Sequence, residues 1–170
     1  GLYALDLGYG CIRIGPSALR PVIAISLSSP YTVEAQAGGV LTVPTASATD
    51  PLTGNALSVT ANPATISLGT LGAQTVTHSC QTSAGDMSSA LLSIVVVDST
   101  TPTVQLLAAS TVTIFVGDPY VEFGAVASDL FDGDLSSAIV TKNTVGSASA
   151  STQTVTYTVT DSQNLSASIS

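Results

Sequence analysis

The feature of this sequence that most constrains its fold is an internal repeat with an offset of 79 residues. At that offset Asp50 aligns with Asp129, Gly54 aligns with Gly133, and the run Gln-Thr-Val-Thr at 74–77 recurs at 153–156. A repeat of this length indicates two copies of one small domain. We therefore predict three parts, which are an N-terminal strand arm at 1–16, a first domain at 17–99 and a second domain at 100–170.

Short apolar runs separated by Gly, Pro, Asn and Asp fill both copies. In the first copy the runs lie at 22–27, 31–33, 40–43, 56–59, 64–68, 74–80 and 90–97, and in the second at 104–107, 112–116, 125–127, 138–141, 153–160 and 165–170. Strands this short, divided by turn residues, are typical of immunoglobulin-like sandwiches, and no run carries a long helical period. The predicted fold class is all-β, with two tandem immunoglobulin-like β-sandwiches and an N-terminal β-strand arm.

The charge balance excludes several classes of partner. The chain has only three basic residues, Arg13, Arg20 and Lys142, against 11 acidic ones. Nucleic acid and anionic membrane surfaces both require clustered Lys and Arg, so neither is a predicted partner. Charged residues make up 8% of the chain, far below the usual ~25%, so we expect hydroxyl groups, surface glycans or neighbouring subunits to keep the surface hydrated or covered.

The expected compartment follows from the composition. Surfaces rich in Ser and Thr and poor in Lys are typical of extracellular proteins, so we expect a location outside the cell or on its surface. No apolar run reaches the ~18 residues that a membrane span needs, and the chain does not begin with Met. We therefore expect a mature chain without its signal peptide.

The second copy carries an ordered series of short motifs. They are Thr101-Pro102, the run Val-Gly-Asp-Pro-Tyr at 116–120, Gly124-Ala125, Ala-Ser-Asp at 127–129, Asp-Gly-Asp-Leu at 132–135, and Val-Thr-Tyr-Thr-Val-Thr-Asp at 155–161. This series resembles the bacterial immunoglobulin-like repeats of surface and secreted proteins, which are similar in style to hyalin-repeat modules. The resemblance implies a structural or adhesive module without catalytic chemistry. The first copy has Ala-Gly-Gly at 37–39 and His78 at the corresponding places, so its membership is inferred through the repeat.

The N-terminal arm alternates with period two, which places one set of side chains on a single face of a strand. That set is Tyr3, Leu5, Leu7, Tyr9 and Cys11. The second copy stops at Ser170, whereas the counterpart of Val97 would be position 176. We predict that the arm is a donor strand for the incomplete sheet of the next subunit, which would join identical subunits into a helical or linear polymer.

A second interpretation of the arm stays open. The arm would then fold back on its own first domain and be fixed there by a disulfide between Cys11 and Cys80. These are the only two cysteines of the chain, and two buried free thiols are an equally good interpretation of them.

Three carboxylates crowd one turn of the second copy. Asp129, Asp132 and Asp134 offer the oxygen ligands that calcium prefers, and they give the only cofactor expected for this chain. A plain turn explains the same residues, because Asp-Gly is a common turn dipeptide. The first copy keeps only Asp50 and Gly54 there, so a metal site would belong to the second copy alone.

The remaining candidate residues predict structure or modification. His78, the only histidine, alternates with Val76 and Cys80 and is predicted to lie in the core, while its counterpart Tyr157 is predicted to tie a loop through its hydroxyl. Asn164 begins the only N-glycosylation sequon.

The predicted function is that of a structural protomer of an extracellular filament. The alternative is an adhesin or carbohydrate-binding module from a longer multi-repeat surface protein. No paired carboxylates, activated nucleophile or metal-binding cysteine cluster emerges, so an enzyme is not expected.

Overall fold

The computed structural model describes residues 20–170 in full and the backbone of residues 3–6 and 10–13. The described residues form short β-strands, and their helical structure is limited to a 3₁₀ turn at Ser136–Ala138. The predicted all-β class is therefore confirmed. No helix in the described part of the chain is long and apolar enough to cross a membrane.

The chain divides into two compact units. Unit 1 comprises Gly1–Val33, Val40–Ser67 and Gly72–Val96, and unit 2 comprises Glu34–Gly39, Leu68–Leu71 and Val97–Ser170. The main change from one unit to the other falls at residues 96–97, close to the boundary predicted from the repeat.

The described strands up to residue 97 are β1 (Tyr3–Asp6), β2 (Gly10–Arg13), β3 (Val22–Ile25), β4 (Tyr31–Glu34), β5 (Val40–Thr42), β6 (Ala46–Thr49), β7 (Ala56–Leu57), β8 (Thr60–Asn62), β9 (Thr65–Ser67), β10 (Gly72–Gln81) and β11 (Met87–Val97). Strands β4, β11, β10 and β8 form a four-stranded sheet in that order. Strands β3, β6 and β7 form a second sheet, and β5 pairs with β9.

The core of unit 1 is built on β10 and β11, which pair antiparallel along their whole length. Side chains of a strand alternate between its two faces, so every second residue of each strand points inward. The inward residues are Val76, His78 and Cys80 on β10, and Leu92, Ile94 and Val96 on β11, all of which are buried. His78 is only 1% exposed, which confirms the prediction that it lies in the core.

The strands from residue 103 onward are β12 (Thr103–Leu106), β13 (Ala125–Asp129), β14 (Gly133–Asp134), β15 (Val140–Asn143), β16 (Val155–Thr160) and β17 (Ser166–Ile169). They form two three-stranded sheets, β12-β13-β14 and β15-β16-β17. Within residues 103–170 the buried apolar side chains are Ala127, Tyr157 and Val159, a smaller core than that of unit 1.

The repeat is visible in the strand register. His78 pairs with Ala90 between β10 and β11, and Tyr157 pairs with Ile169 between β16 and β17, so both partners shift by the same 79 residues. The two hairpins differ in length, since β11 has 11 residues and β17 has four.

One predicted strand is wrong. Residues 112–116 were expected to be extended, but no strand lies between Leu106 and Ala125. In the first copy the corresponding strand is β4, which is paired with β11. Within the described part of the chain, no hydrogen bond joins the backbone of residues 108–114 to another residue, so a strand there has no ladder to enter.

The arm contains two strands rather than one. Strands β1 and β2 pair antiparallel, with Tyr3 opposite Arg13 and Asp6 opposite Gly10. Leu7 and Tyr9 lie outside the described residues, as do the side chains of Tyr3, Leu5 and Cys11. The donor-strand role of this set therefore stays a prediction.

Candidate functional site

Unit 2 exposes a run of large apolar side chains in the segment that forms no strand. Phe115 is 82% exposed, and Leu107 is 62% exposed. The other exposed members of the run are Val112, Ile114, Val116, Val121 and Phe123. Large exposed apolar side chains gathered in one segment mark an interaction site more often than isolated ones do.

A groove of about 660 Å³ runs along this segment, and we call it the apolar groove. One wall is residues 108–116 and the other is formed by residues 145–147 and 149–155. Its apolar lining includes Ile114, Phe115 and Phe123. Because residues 108–114 make no backbone hydrogen bonds with the described residues, the groove combines apolar side chains with unpaired N–H and C=O groups. That combination can accept an extended peptide as an added strand.

Tyr157 is part of the lining of the groove. Its ring is buried, and its hydroxyl donates a hydrogen bond to Oε1 of Glu122. Glu122 lies in the segment between β12 and β13 that forms no strand. The hydrogen bond to the carboxylate, followed by burial, raises the pKa of Tyr157 to about 12. The predicted tie between Tyr157 and a loop is therefore present.

A cluster of carboxylates forms a second feature of unit 2. Asp98, Asp129 and Asp132 each place a carboxylate oxygen within 4.8 Å of the others, and we call these three residues the acidic cluster. Asp129 Oδ1 accepts hydrogen bonds from the N–H groups of Phe131 at 2.7 Å and of Asp132 at 3.1 Å. These two bonds hold the turn that brings Asp129 and Asp132 together.

The sequence prediction named two of these three residues. Asp134 is exposed and not part of the cluster, and its Oδ1 accepts a hydrogen bond from Ser136 N–H at 2.9 Å. Hydrogen bonds from the Ser136 hydroxyl and N–H lower the pKa of Asp134. Asp98 was missed because it lies 31 positions before Asp129, outside any local motif.

Glu34 lies beside the same cluster. Its carboxylate accepts hydrogen bonds from Ser99 N–H at 2.6 Å and from Ser99 Oγ at 2.8 Å. The bond from Ser99 N–H is the main reason that the pKa of Glu34 is lowered, whereas the nearby charge of Asp129 acts in the opposite direction. Glu34 therefore holds residues 99–100 in place through its own oxygens.

The remaining residues singled out from the sequence are His78, Cys80 and Asn164. Nε2 of His78 lies 3.2 Å from the carbonyl oxygen of Pro44. Cys80 is buried, and because the Cys11 side chain lies outside the described residues, their pairing stays a prediction. Asn164 is exposed and has a left-handed φ of 66°, in a turn between β16 and β17. Its glycosylation also stays a prediction.

The apolar groove and two of the three residues of the acidic cluster lie in the part of the chain that carried the sequence resemblance, whereas Asp98 precedes that part. Residues 104–170 match the family model of the bacterial surface protein Ig-like domain. This Ig-like match confirms the resemblance of the second copy and indicates a cell-surface protein. It does not extend to the first copy, whose membership of the same family stays a prediction. No curated protein matches the chain significantly.

Proposed function

We propose that this chain is a structural protein of the cell surface whose unit 2 binds residues 3–11 of a second copy as an added β-strand. Copies joined in this way form a head-to-tail fibre, because the donating and accepting surfaces differ and the contact does not close on itself. The observation that carries the proposal is the apolar groove, where apolar side chains lie beside unpaired backbone at residues 108–114.

The repeat supports the position of the added strand. In the first copy β4 pairs with β11, whereas its counterpart at residues 110–113 has no backbone partner among the described residues. An added strand beside residues 108–114 would give this segment of unit 2 the pairing that β4 has.

The arm has the side chains that such a site needs. Its alternating residues Tyr3, Leu5, Leu7 and Tyr9 would present one apolar face to the groove. Burial of four such side chains contributes on the order of 6–12 kcal/mol before the costs of association and ordering. The arm must first leave its pairing between β1 and β2, and a two-stranded hairpin is only marginally stable in water.

Deletion of residues 1–11 tests the proposal. Electron micrographs of the intact chain should show fibres, and those of the deletion variant should show dispersed particles with an unchanged β-type circular dichroism spectrum. A synthetic peptide of residues 1–13 should then bind the deletion variant and block its incorporation into fibres of the intact chain.

A pair of surface substitutions supplies the matched control. Phe115→Asp places a charge in the groove and should abolish peptide binding. Leu91→Asp places the same charge on β11, where Leu91 is 65% exposed, and should leave binding unchanged. Fibres that survive the deletion, or equal binding by both variants, would overturn strand donation. Dispersed monomers with an intact arm would instead favour a module of a longer multi-repeat surface protein, in which another segment of that protein fills the groove.

A further inference from the structure

Two carboxylates of the acidic cluster, those of Asp98 and Asp129, are each held through one oxygen while the other oxygen has no partner among the described residues. Asp98 Oδ1 accepts a hydrogen bond from Thr100 Oγ1 at 3.1 Å, and Asp129 Oδ1 accepts two backbone hydrogen bonds. Oδ2 of Asp98 and Oδ2 of Asp129 are both buried and have no hydrogen-bond partner within the described part of the chain. A buried carboxylate oxygen without a partner is costly, so it requires an explanation.

A fourth carboxylate, that of Asp161, lies beside the cluster and is 7% exposed. Asp161 Oδ1 accepts hydrogen bonds from the N–H groups of Gln163 and Leu165, each at 2.8 Å, whereas its buried Oδ2 has no partner among the described residues. The next residue, Ser162, donates to Asp132 Oδ2 through its N–H at 2.9 Å and its hydroxyl at 3.0 Å. These bonds join the turn of Asp161 to the acidic cluster.

The four carboxylates lie close enough for their negative charges to interact. Burial is the main cause that raises the pKa of Asp98, and the negative charges of Asp129 and Asp161 raise it further. Four carboxylates gathered in a chain that has only three basic residues repel one another. A bound cation would remove this repulsion and supply a partner for the unpaired oxygens.

The geometry suits one calcium ion. Calcium binds oxygen ligands at 2.3–2.6 Å, so two ligands on opposite sides of the ion lie roughly 5 Å apart. The oxygens of Asp98, Asp129 and Asp132 lie within 4.8 Å of one another and can therefore share one ion. Hydrogen bonds to the other carboxylate oxygens orient the ligands, as the outer contacts of metal sites do.

We propose that Asp98, Asp129 and Asp132 bind a calcium ion in unit 2, with Asp161 adding negative charge beside it. Calcium is favoured over magnesium because it accepts many carboxylate oxygens in flexible geometry, whereas magnesium keeps several of its waters. The ligand set differs from the one expected from sequence, since Asp98 takes the place of Asp134.

Calorimetric titration of the full chain, after removal of metals with a chelator, tests the site. One calcium ion should bind with a Kd of about 0.1–1 mM, the range of extracellular calcium modules. At about 10 mM calcium the melting temperature of unit 2 should rise by about 5–20 °C. Absence of both effects would overturn the proposal, and an equal response to magnesium would overturn the assignment to calcium.

Three isosteric variants identify the ligands. Asp98→Asn and Asp129→Asn should each weaken calcium binding by at least about tenfold. Asp134→Asn is the matched control, because it removes a carboxylate of the same turn that lies outside the cluster, and it should bind calcium like the unchanged chain.

The same variants distinguish metal binding from a purely structural role. Without calcium, Asp98→Asn removes a repelling charge and should melt at the same temperature as the unchanged chain or at a higher one. With calcium, Asp98→Asn should melt at a lower temperature than the unchanged chain. A variant that is less stable by the same amount under both conditions would show that Asp98 is structural, and a loss of binding in Asp134→Asn alone would show that the ligand set is wrong.

Discussion

Asp50 and Asp129, which are 79 residues apart, accept the same hydrogen bond in the two units. Asp50 Oδ1 accepts from Leu52 N–H at 2.8 Å, and Asp129 Oδ1 accepts from Phe131 N–H at 2.7 Å. Gly54 and Gly133 follow at the same spacing and have φ values of 71° and 76°. The repeated residues therefore form the same turn in both units, in which an aspartate side chain closes the loop and a glycine takes the left-handed conformation.

This turn gives a first prediction about stability. Asp50→Ala removes the acceptor for Leu52 N–H at a residue that is only 7% exposed, so the free energy of unfolding of unit 1 should fall by about 1–3 kcal/mol. Asp50→Asn keeps an oxygen at the same position and should recover most of the loss. Urea unfolding of both variants measures the difference, and equal destabilisation would show that the hydrogen bond is not the cause.

Asn164 gives a second prediction through its counterpart Gly85. Asn164 has a φ of 66° and Gly85 has a φ of 93°. The N–H of Asn164 donates to the carbonyl oxygen of Asp161, and the N–H of Gly85 donates to that of Thr82, three positions earlier in each case. Left-handed backbone costs a residue with a Cβ about 1–2 kcal/mol, although Asn tolerates it better than most. Asn164→Ala should therefore destabilise unit 2 by about 1 kcal/mol, whereas Asn164→Gly should be neutral.

Thermal unfolding of the two Asn164 variants makes the comparison, since both remove the sequon equally. A loss of stability shared by both would point to the asparagine side chain instead of the backbone conformation.

These turns were predictable from sequence because local chemistry determines them. Asp, Gly and Asn at fixed spacing specify a turn without reference to distant residues. Strands with strong apolar alternation, such as β10 and β11, were predicted for the same reason. Strand β6 was missed because Ala-Ser-Ala-Thr is weakly apolar, and its place depends on pairing with β3. The expected strand at 112–116 was apolar enough, yet it has no backbone partner in the described chain.

The acidic cluster could be predicted from the sequence only in part, for the same reason. Asp129 and Asp132 share a turn, so their proximity follows from the sequence. Asp98 and Asp161 join them through tertiary packing, and no spacing rule connects these positions. A local motif could therefore indicate that carboxylates gather near residue 130, but it could not identify which distant carboxylate completes the group.

Tyr157 gives a third prediction, which concerns pH. The hydrogen bond to Glu122, followed by burial, raises its pKa in the folded state to about 12, above the value of about 10 for a free tyrosine. The folded state thus favours the protonated phenol, and its contribution to stability is complete below about pH 10 and is lost as the pH rises through about 12. Unit 2 should therefore unfold at lower urea concentration across this range.

Tyr157→Phe is the control for the pH effect. At neutral pH it should reduce the free energy of unfolding by about 1.5–3 kcal/mol, because a hydrogen bond to a charged group is lost. Between about pH 10 and about pH 12 its urea midpoint should change less than that of the unchanged chain. An identical pH dependence for the two proteins would assign the effect to other titrating groups.

Two neighbouring leucines on β11 give a fourth prediction, which tests where the core of unit 1 lies. Leu92 is fully buried, whereas Leu91 is 65% exposed on the opposite face of the strand. Leu92→Ala should lower the free energy of unfolding by about 2–5 kcal/mol, because it removes buried methyl groups and leaves a cavity. Leu91→Ala makes the same chemical change on the outer face and should cost less than about 0.5 kcal/mol. Urea unfolding of the pair measures the contrast, and similar losses would place both side chains in the core and contradict the register of β10 with β11.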